Sequence, residues 1–123
     1  MNDIHLDLAD GRRVFKPGEL VEGRVSWTVD GATSAEVRLF WYTRGKGPED
    51  VGVVDTVAFP NPLTTDQRPF RFVLPDGPFS FSGKLVSIIW AMELILEPGS
   101  SVERREIVMS PGGQEVVVAH ESA

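Results

Sequence analysis

The sequence predicts an all-β, antiparallel sandwich, and three observations lead there. Apolar and polar residues alternate with a period of two along most of the chain, which puts successive side chains on opposite faces of a sheet. Glycine (12 residues) and proline (9 residues) punctuate the chain, and β-branched and aromatic residues fill the intervals between them. Short strands separated by turn signals at roughly ten-residue spacing describe two packed sheets.

Ile4-His5-Leu6-Asp7-Leu8 alternates strictly and ends at the turn signal Asp10-Gly11. A short segment around Val14-Phe15 precedes Lys16-Pro17-Gly18-Glu19, where Pro17 presets φ and Gly18 supplies a positive φ for a tight turn. From Val21 to Val29 the odd positions Val21, Val25, Trp27 and Val29 face one way, and Glu22, Arg24, Ser26 and Thr28 the other. Gly23 inside that strand predicts a bulge or a close backbone approach. After Asp30-Gly31, the strand Ala35 to Thr43 sets Val37, Leu39 and Trp41 against Glu36 and Arg38, with Phe40 and Tyr42 on the charged side.

A polar loop over 44–50 leads to Val51–Phe59, where Asp55 interrupts the alternation and leaves the inward face unassigned. Pro60-Asn61-Pro62 forbids regular pairing. Phe70, Phe72 and Leu74 then alternate with Arg71 and Val73, up to Pro75. Lys84 to Glu97 is the longest predicted strand, with Val86, Ile88, Trp90, Met92, Leu94 and Leu96 as its core stripe. It is also the one stretch long enough for a competing helix. Its unbroken period-two stripe and β-rich neighbours favour strand. Val102–Met109 and Val116–Val118 complete the set, and no internal repeat or linker divides residues 1–123, which reads as a single domain.

Composition narrows function. A formal charge of -6 disfavours nucleic acid, whose phosphates require a surface of lysine and arginine. The longest apolar run, Leu85 to Leu96, contains Ser87 and Glu93 and is too short to cross a bilayer, so the chain is expected not to span a membrane. With no cysteine there is no disulfide or thiol chemistry, and with no secretory signal in view a cytoplasmic location is the expectation.

The motifs of catalysis and ligation fail on spacing. Gly45-Lys46 and Gly83-Lys84 lack the other residues of a phosphate loop. His5 and His120 lie at opposite ends of the chain, so neither predicts a metal site. Ser80 and Ser82 read as turn serines, since a nucleophile elbow would need serine at the position of Phe81. Acidic residues such as Glu49, Asp50, Asp55 and Glu93 are abundant without a pattern that pairs two of them. The expectation is a protein that is not an enzyme, with no catalytic residue, no cofactor and no metal.

Three segments in order carry a resemblance. Phe15-Lys16-Pro17-Gly18-Glu19-Leu20-Val21-Glu22-Gly23-Arg24-Val25, then Phe70-Arg71-Phe72-Val73-Leu74-Pro75, then Pro78-Phe79-Ser80-Phe81-Ser82-Gly83 resemble successive motifs of arrestin-like domains, with Trp90 and Arg104–Met109 in suitable places after them. The resemblance covers roughly Leu6 to Met109. It implies an immunoglobulin-like, arrestin-like β-sandwich and a role in protein recognition or scaffolding without enzyme activity. Arrestins and the related bacterial sporulation-control proteins join two such sandwiches, whereas this sequence holds one, so a homodimer would be needed to restore the pair.

The expected function is therefore a non-catalytic protein-binding or scaffold domain. On the long strand, the odd positions Leu85, Ser87, Ile89, Ala91, Glu93 and Ile95 face away from the core stripe and form the candidate protein-binding surface. Free strand edges are a second docking place. Two alternatives stand beside this reading. A carbohydrate-binding module would stack a sugar on an exposed indole of Trp27, Trp41 or Trp90, although core packing explains all three. A purely structural subunit would exist only to self-assemble.

Overall fold

A computed structural model describes residues 3–47, 49–83, 85–112 and the backbone of Val116–Val117. Pro48, Lys84, Val118 and His120 lie outside the described residues. Within them the alternating segments become β1 (Asp3–Leu8), β2 (Val14–Phe15), β3 (Leu20–Thr28), β4 (Ser34–Gly45), β5 (Val51–Ala58), β6 (Thr65–Val73), β7 (Phe81–Ser82), β8 (Val86–Glu97), β9 (Ser101–Met109) and β10 (Val116–Val117).

The strands form two layers. One is the sheet β1-β3-β6, and the other runs β10-β7-β8-β4-β5 with β9 paired to the remaining part of β8 and β2 paired to β9. The long pairings are antiparallel, as the alternation implies. The two-residue pairings of β2 with β9 and of β10 with β7 are parallel, which pattern reading does not reveal. The inner faces meet in a core of Leu6, Val25 and Phe72 from one sheet and Leu39, Trp90 and Leu94 from the other. Burying each such side chain contributes roughly 1.5–3 kcal/mol, so the period-two stripes account for the layer order.

The segments that carried the resemblance are structural determinants. Glu19 accepts hydrogen bonds from the Lys16 amide at 2.6 Å and from Arg12 Nη2 at 2.7 Å to each carboxylate oxygen, and Arg12 in turn lies 4.4 Å over the Phe15 ring. Gly18, at φ 80°, donates its amide to the Leu74 carbonyl at 3.0 Å. Buried Ser80 exchanges two bonds with Met109: its amide donates to the Met109 carbonyl at 2.8 Å, and its Oγ accepts from the Met109 amide at 3.0 Å. The motifs thus lock β2, β6 and β9 together.

Three places differ from the pattern reading. Strand β6 begins at Thr65, before Pro69, because Pro69 stands on an edge strand where a missing amide hydrogen does not interrupt pairing to β3. β7 is too short to show a period. In β5 the register against β4 slips between Leu39, paired with Asp55, and Phe40, paired with Val53, so Val54 is an extra residue. That β-bulge is why alternation failed at Asp55.

Candidate functional site

The outer face of the β5-β4-β8-β9 layer is assembled by register. Val51 opposes Tyr42, which opposes Ile89; Val53 opposes Phe40, which opposes Ala91. Beyond them Arg38 opposes Glu93, and Glu93 opposes Arg104, while Ala91 opposes Glu106. Sequence alternation placed Phe40 and Tyr42 on this face, and the bulge turns Val51 and Val53 onto the same side.

Of the six residues expected to form the surface, Ser87, Ile89, Ala91, Glu93 and Ile95 share this side of β8, while Leu85 precedes the strand, and they are not equally available. Leu85 is 44% exposed, whereas Ala91 is fully covered. Ser87, Ile89, Glu93 and Ile95 are half-buried. The cover over Ala91 comes from neighbouring strands, which a single-strand reading cannot include. Phe40 and Tyr42 stack with centroids 6.0 Å apart, and the Arg104 guanidinium lies 5.1 Å and 5.2 Å from the two ring centres. Arg104 is held there by Glu93 Oε2, at 3.0 Å from Nε and 2.8 Å from Nη2. Such cation–π contacts contribute roughly 0.5–1 kcal/mol each at partly exposed sites.

A second set of bonds fixes the ring of Tyr42. Its hydroxyl donates to Glu106 Oε1 at 2.7 Å, and Arg44 Nη2 donates to the Tyr42 oxygen at 2.9 Å. Burial, followed by the hydrogen bond and negative charge of Glu106, raises the Tyr42 hydroxyl above its ordinary pKa. The Glu93 hydrogen bond raises Arg104, so that arginine stays charged. Over the outer face of β4 and β5, a groove of about 400 Å³ is lined by Phe40, Tyr42, Val51, Val53, Glu49 and Arg38, with Glu93 of β8 and Arg104 of β9.

The strand edges carry features that oppose strand addition. The free edge of β5 carries the Val54 bulge and Asp55 on its inward side. The edge of β6 carries Pro69, and β1 has its Leu6 carbonyl occupied by Arg105, at 3.2 Å from Nε and 2.8 Å from Nη2. Bulges, inward charges and prolines are the devices by which sheets discourage strand addition.

Other depressions offer less. One of about 690 Å³ lies at the end of β1 beside β3 and β6, lined by Leu8, Gly23, Phe70 and Pro69 with Val57 and a charged rim. In that rim Asp7 opposes Arg24 and Glu22 opposes Arg71 across the strands, so opposite charges already neighbour one another. Among the described residues no group of three or more histidine, cysteine, aspartate or glutamate side chains is placed to hold a metal. No helix among them is long and apolar enough to cross a membrane.

Trp27 and Trp90 are buried, with their indole N–H groups donating to the carbonyls of Leu63 at 2.8 Å and Pro78 at 2.6 Å. Trp41 is half-buried, its indole packed directly over Gly52 so closely that a Cβ there would collide with it.

No family model and no curated protein matches the sequence. Among solved structures, the sporulation control protein Spo0M from Bacillus subtilis matches with a TM-score of 0.60 at 18% identity, over 89% of this chain and 49% of that one. The fold is thus an arrestin-like β-sandwich, and the chain spans about half the length of Spo0M. A superoxide reductase (neelaredoxin) from Ignicoccus hospitalis matches at a TM-score of 0.42 and 15% identity, over 89% of this chain and 80% of that one, and nothing is carried over from it.

Proposed function

We propose that this arrestin-like sandwich is a non-catalytic protein-recognition domain that binds through the outer face of its β5-β4-β8-β9 layer. The observation that supports the reading is the ordered aromatic cluster on that face. Phe40 and Tyr42 are pinned by Arg104, Glu93 and Glu106, and flanked by Val51, Val53 and Ile89. Aromatic and arginine side chains dominate binding energy at protein interfaces. Side chains already held in place lose less entropy when a partner docks. The guarded edges favour the face over strand addition. The proposal includes a cytoplasmic setting, for which cell fractionation is the check.

The test is retention of partners from a lysate of the source cells by the tagged protein, beside Ile89→Asp and Val53→Asp on this face and Arg24→Glu on the opposite one. Loss of one specific partner in the first two, with retention by Arg24→Glu, is the expected result. The same partners on all three would move the site elsewhere. A homodimer through this face is the self-association form of the same proposal. Light scattering across a concentration series decides it, and a strict monomer at high concentration removes it. The carbohydrate alternative draws little from the three tryptophans, none of which is exposed.

A further inference from the structure

We infer that the groove over the outer face of β4 and β5 receives an arginine or lysine side chain from a basic peptide segment of a partner protein. The inference rests on the recognition reading above and specifies the chemistry of one contact within it.

The argument is one of uncompensated charge. Three cations border or line the groove, and each is already neutralised within the domain: Arg38 by Glu36 at 2.9 Å, Arg44 by Glu106 at 3.3 Å and Arg104 by Glu93 at 2.8 Å. Glu49 also lines the groove, is exposed, and has no hydrogen bond or ion pair to another described residue. The charge left over for a partner is therefore negative. Among these charges the apolar wall is Val51 and Val53, 64% and 57% exposed, with half-buried Tyr42 opposite and Phe40 nearly covered.

A site with an apolar channel and a carboxylate matches a long aliphatic stem carrying a cation, which is the shape of arginine and lysine. The guanidinium of Arg104 over the same two rings is an intramolecular instance of that match. The formal charge of -6 on the chain draws basic partners from a distance and adds to the local preference.

The test uses three probes on the isotope-labelled protein, followed by backbone amide shifts: acetyl-Ala-Val-Arg-Val-Ala-amide, the same peptide with glutamate in place of arginine, and spermidine. The expected result is saturable shifts at Tyr42, Val51 and Val53 with the arginine peptide alone. Glu49→Gln, an exposed change whose unchanged spectrum elsewhere certifies folding, should weaken that binding about fivefold, the scale of a partly exposed ion pair. It should also flatten the salt dependence. Val51→Ser should weaken binding while leaving the salt dependence intact.

Equal shifts from the glutamate peptide, or unchanged affinity in Glu49→Gln, would overturn the inference. Equal binding of spermidine would overturn the part played by the apolar walls. If the arginine peptide fails while Ile89→Asp still abolishes partner retention, the recognition face stands and this groove is not its cation pocket. If the peptide binds as expected while the face variants retain every partner, the recognition reading fails instead.

Discussion

The sandwich has two outer faces built from the same alternating pattern, and they are finished differently. On β1-β3-β6 the outward side chains include Asp7, Glu22, Arg24 and Arg71, all exposed, with opposite charges across from one another in the register. None of these four makes an ion pair with another described residue. On β5-β4-β8-β9 Arg104 and Arg44 lie against rings and carboxylates, and Ala91, between Phe40 and Glu106 in the register, is fully covered. Solvated pairs of the first kind contribute little and hold no geometry. The second kind fixes long side chains before any partner arrives. The contrast shows where the fold has ordered its surface.

The variant expected to break this contrast most visibly is Phe40→Ala. Phe40 is outward-facing yet only 6% exposed, so its removal should act like a core truncation. The expected loss is about 3 kcal/mol in denaturant unfolding, at the lower end for phenylalanine to alanine. Arg24→Ala on the other face should stay within about 0.5 kcal/mol. Equal, small effects would mean that the two faces are equivalent surfaces and that the aromatic cluster is not a second packed layer.

The polar sheet has a different sensitivity, at its thinnest point. A Cβ on Gly23 would lie 2.5 Å from the Asp7 carbonyl oxygen and 2.6 Å from the Phe70 ring. The ring belongs to a side chain that can shift, but the carbonyl is backbone. Gly23→Ala should therefore destabilise by about 2 kcal/mol, in the range for overpacking. Gly112→Ala, where nothing lies within 4 Å, is the control and should be near neutral. A neutral Gly23→Ala would show that β1 can move away from β3.

These two positions also mark what the sequence could reveal. Gly23 was legible as a bulge or a close approach because a glycine interrupts an otherwise regular strand, and the unbroken register leaves the close approach. The turns and the arrestin-like motif order were legible for similar reasons, and so were most of the core stripes, although the stripe of β8 starts only at Trp90, with Val86 and Ile88 half-buried and outside the core. The availability of Ala91 was not. It depends on Phe40 and Glu106 standing opposite it on β4 and β9, and only the register brings them there. The inward side of β5 was hidden by a single extra residue at Val54, which resets the period halfway along the strand. The exposed valines of the groove were hidden with it.

Acid should separate the two sides of the polar sheet. Its strongly shifted carboxyl is not among the outward charges but on Asp66, paired with Trp27. Arg68, bonded to it at 2.8 Å, lowers Asp66 to about 2, helped by the amides of Leu63 and Gln67. The folded pKa lies below the unfolded value near 4, so the carboxylate contributes stability that is present above about pH 4. That contribution is lost as the pH falls through about 2. Asp66→Asn should lower stability at neutral pH and flatten the dependence across that acid window. An unchanged acid limb would show that Arg68 and Asp66 do not hold each other in solution.

The smallest expected effect is the most direct reporter of the ordered face. Tyr42 is the only tyrosine in the chain, so the ultraviolet absorbance of tyrosinate follows this one hydroxyl. Burial and Glu106 should make it titrate above the ordinary tyrosine value near 10. Here the neutral form is favoured by folding, so the contribution is fully present below that value. It disappears as the pH rises through the folded pKa. Glu106→Gln removes the charge and should bring the titration down, while leaving the part that comes from burial. Glu22→Gln, on the polar face, should leave it where it was. If Glu106→Gln leaves the titration in place, the hydroxyl is held up by burial alone, and the Tyr42–Glu106 bond does not order the ring. If Tyr42 titrates at the ordinary value in the unaltered protein, the face is open to water at its centre and resembles its opposite more than the packing implies.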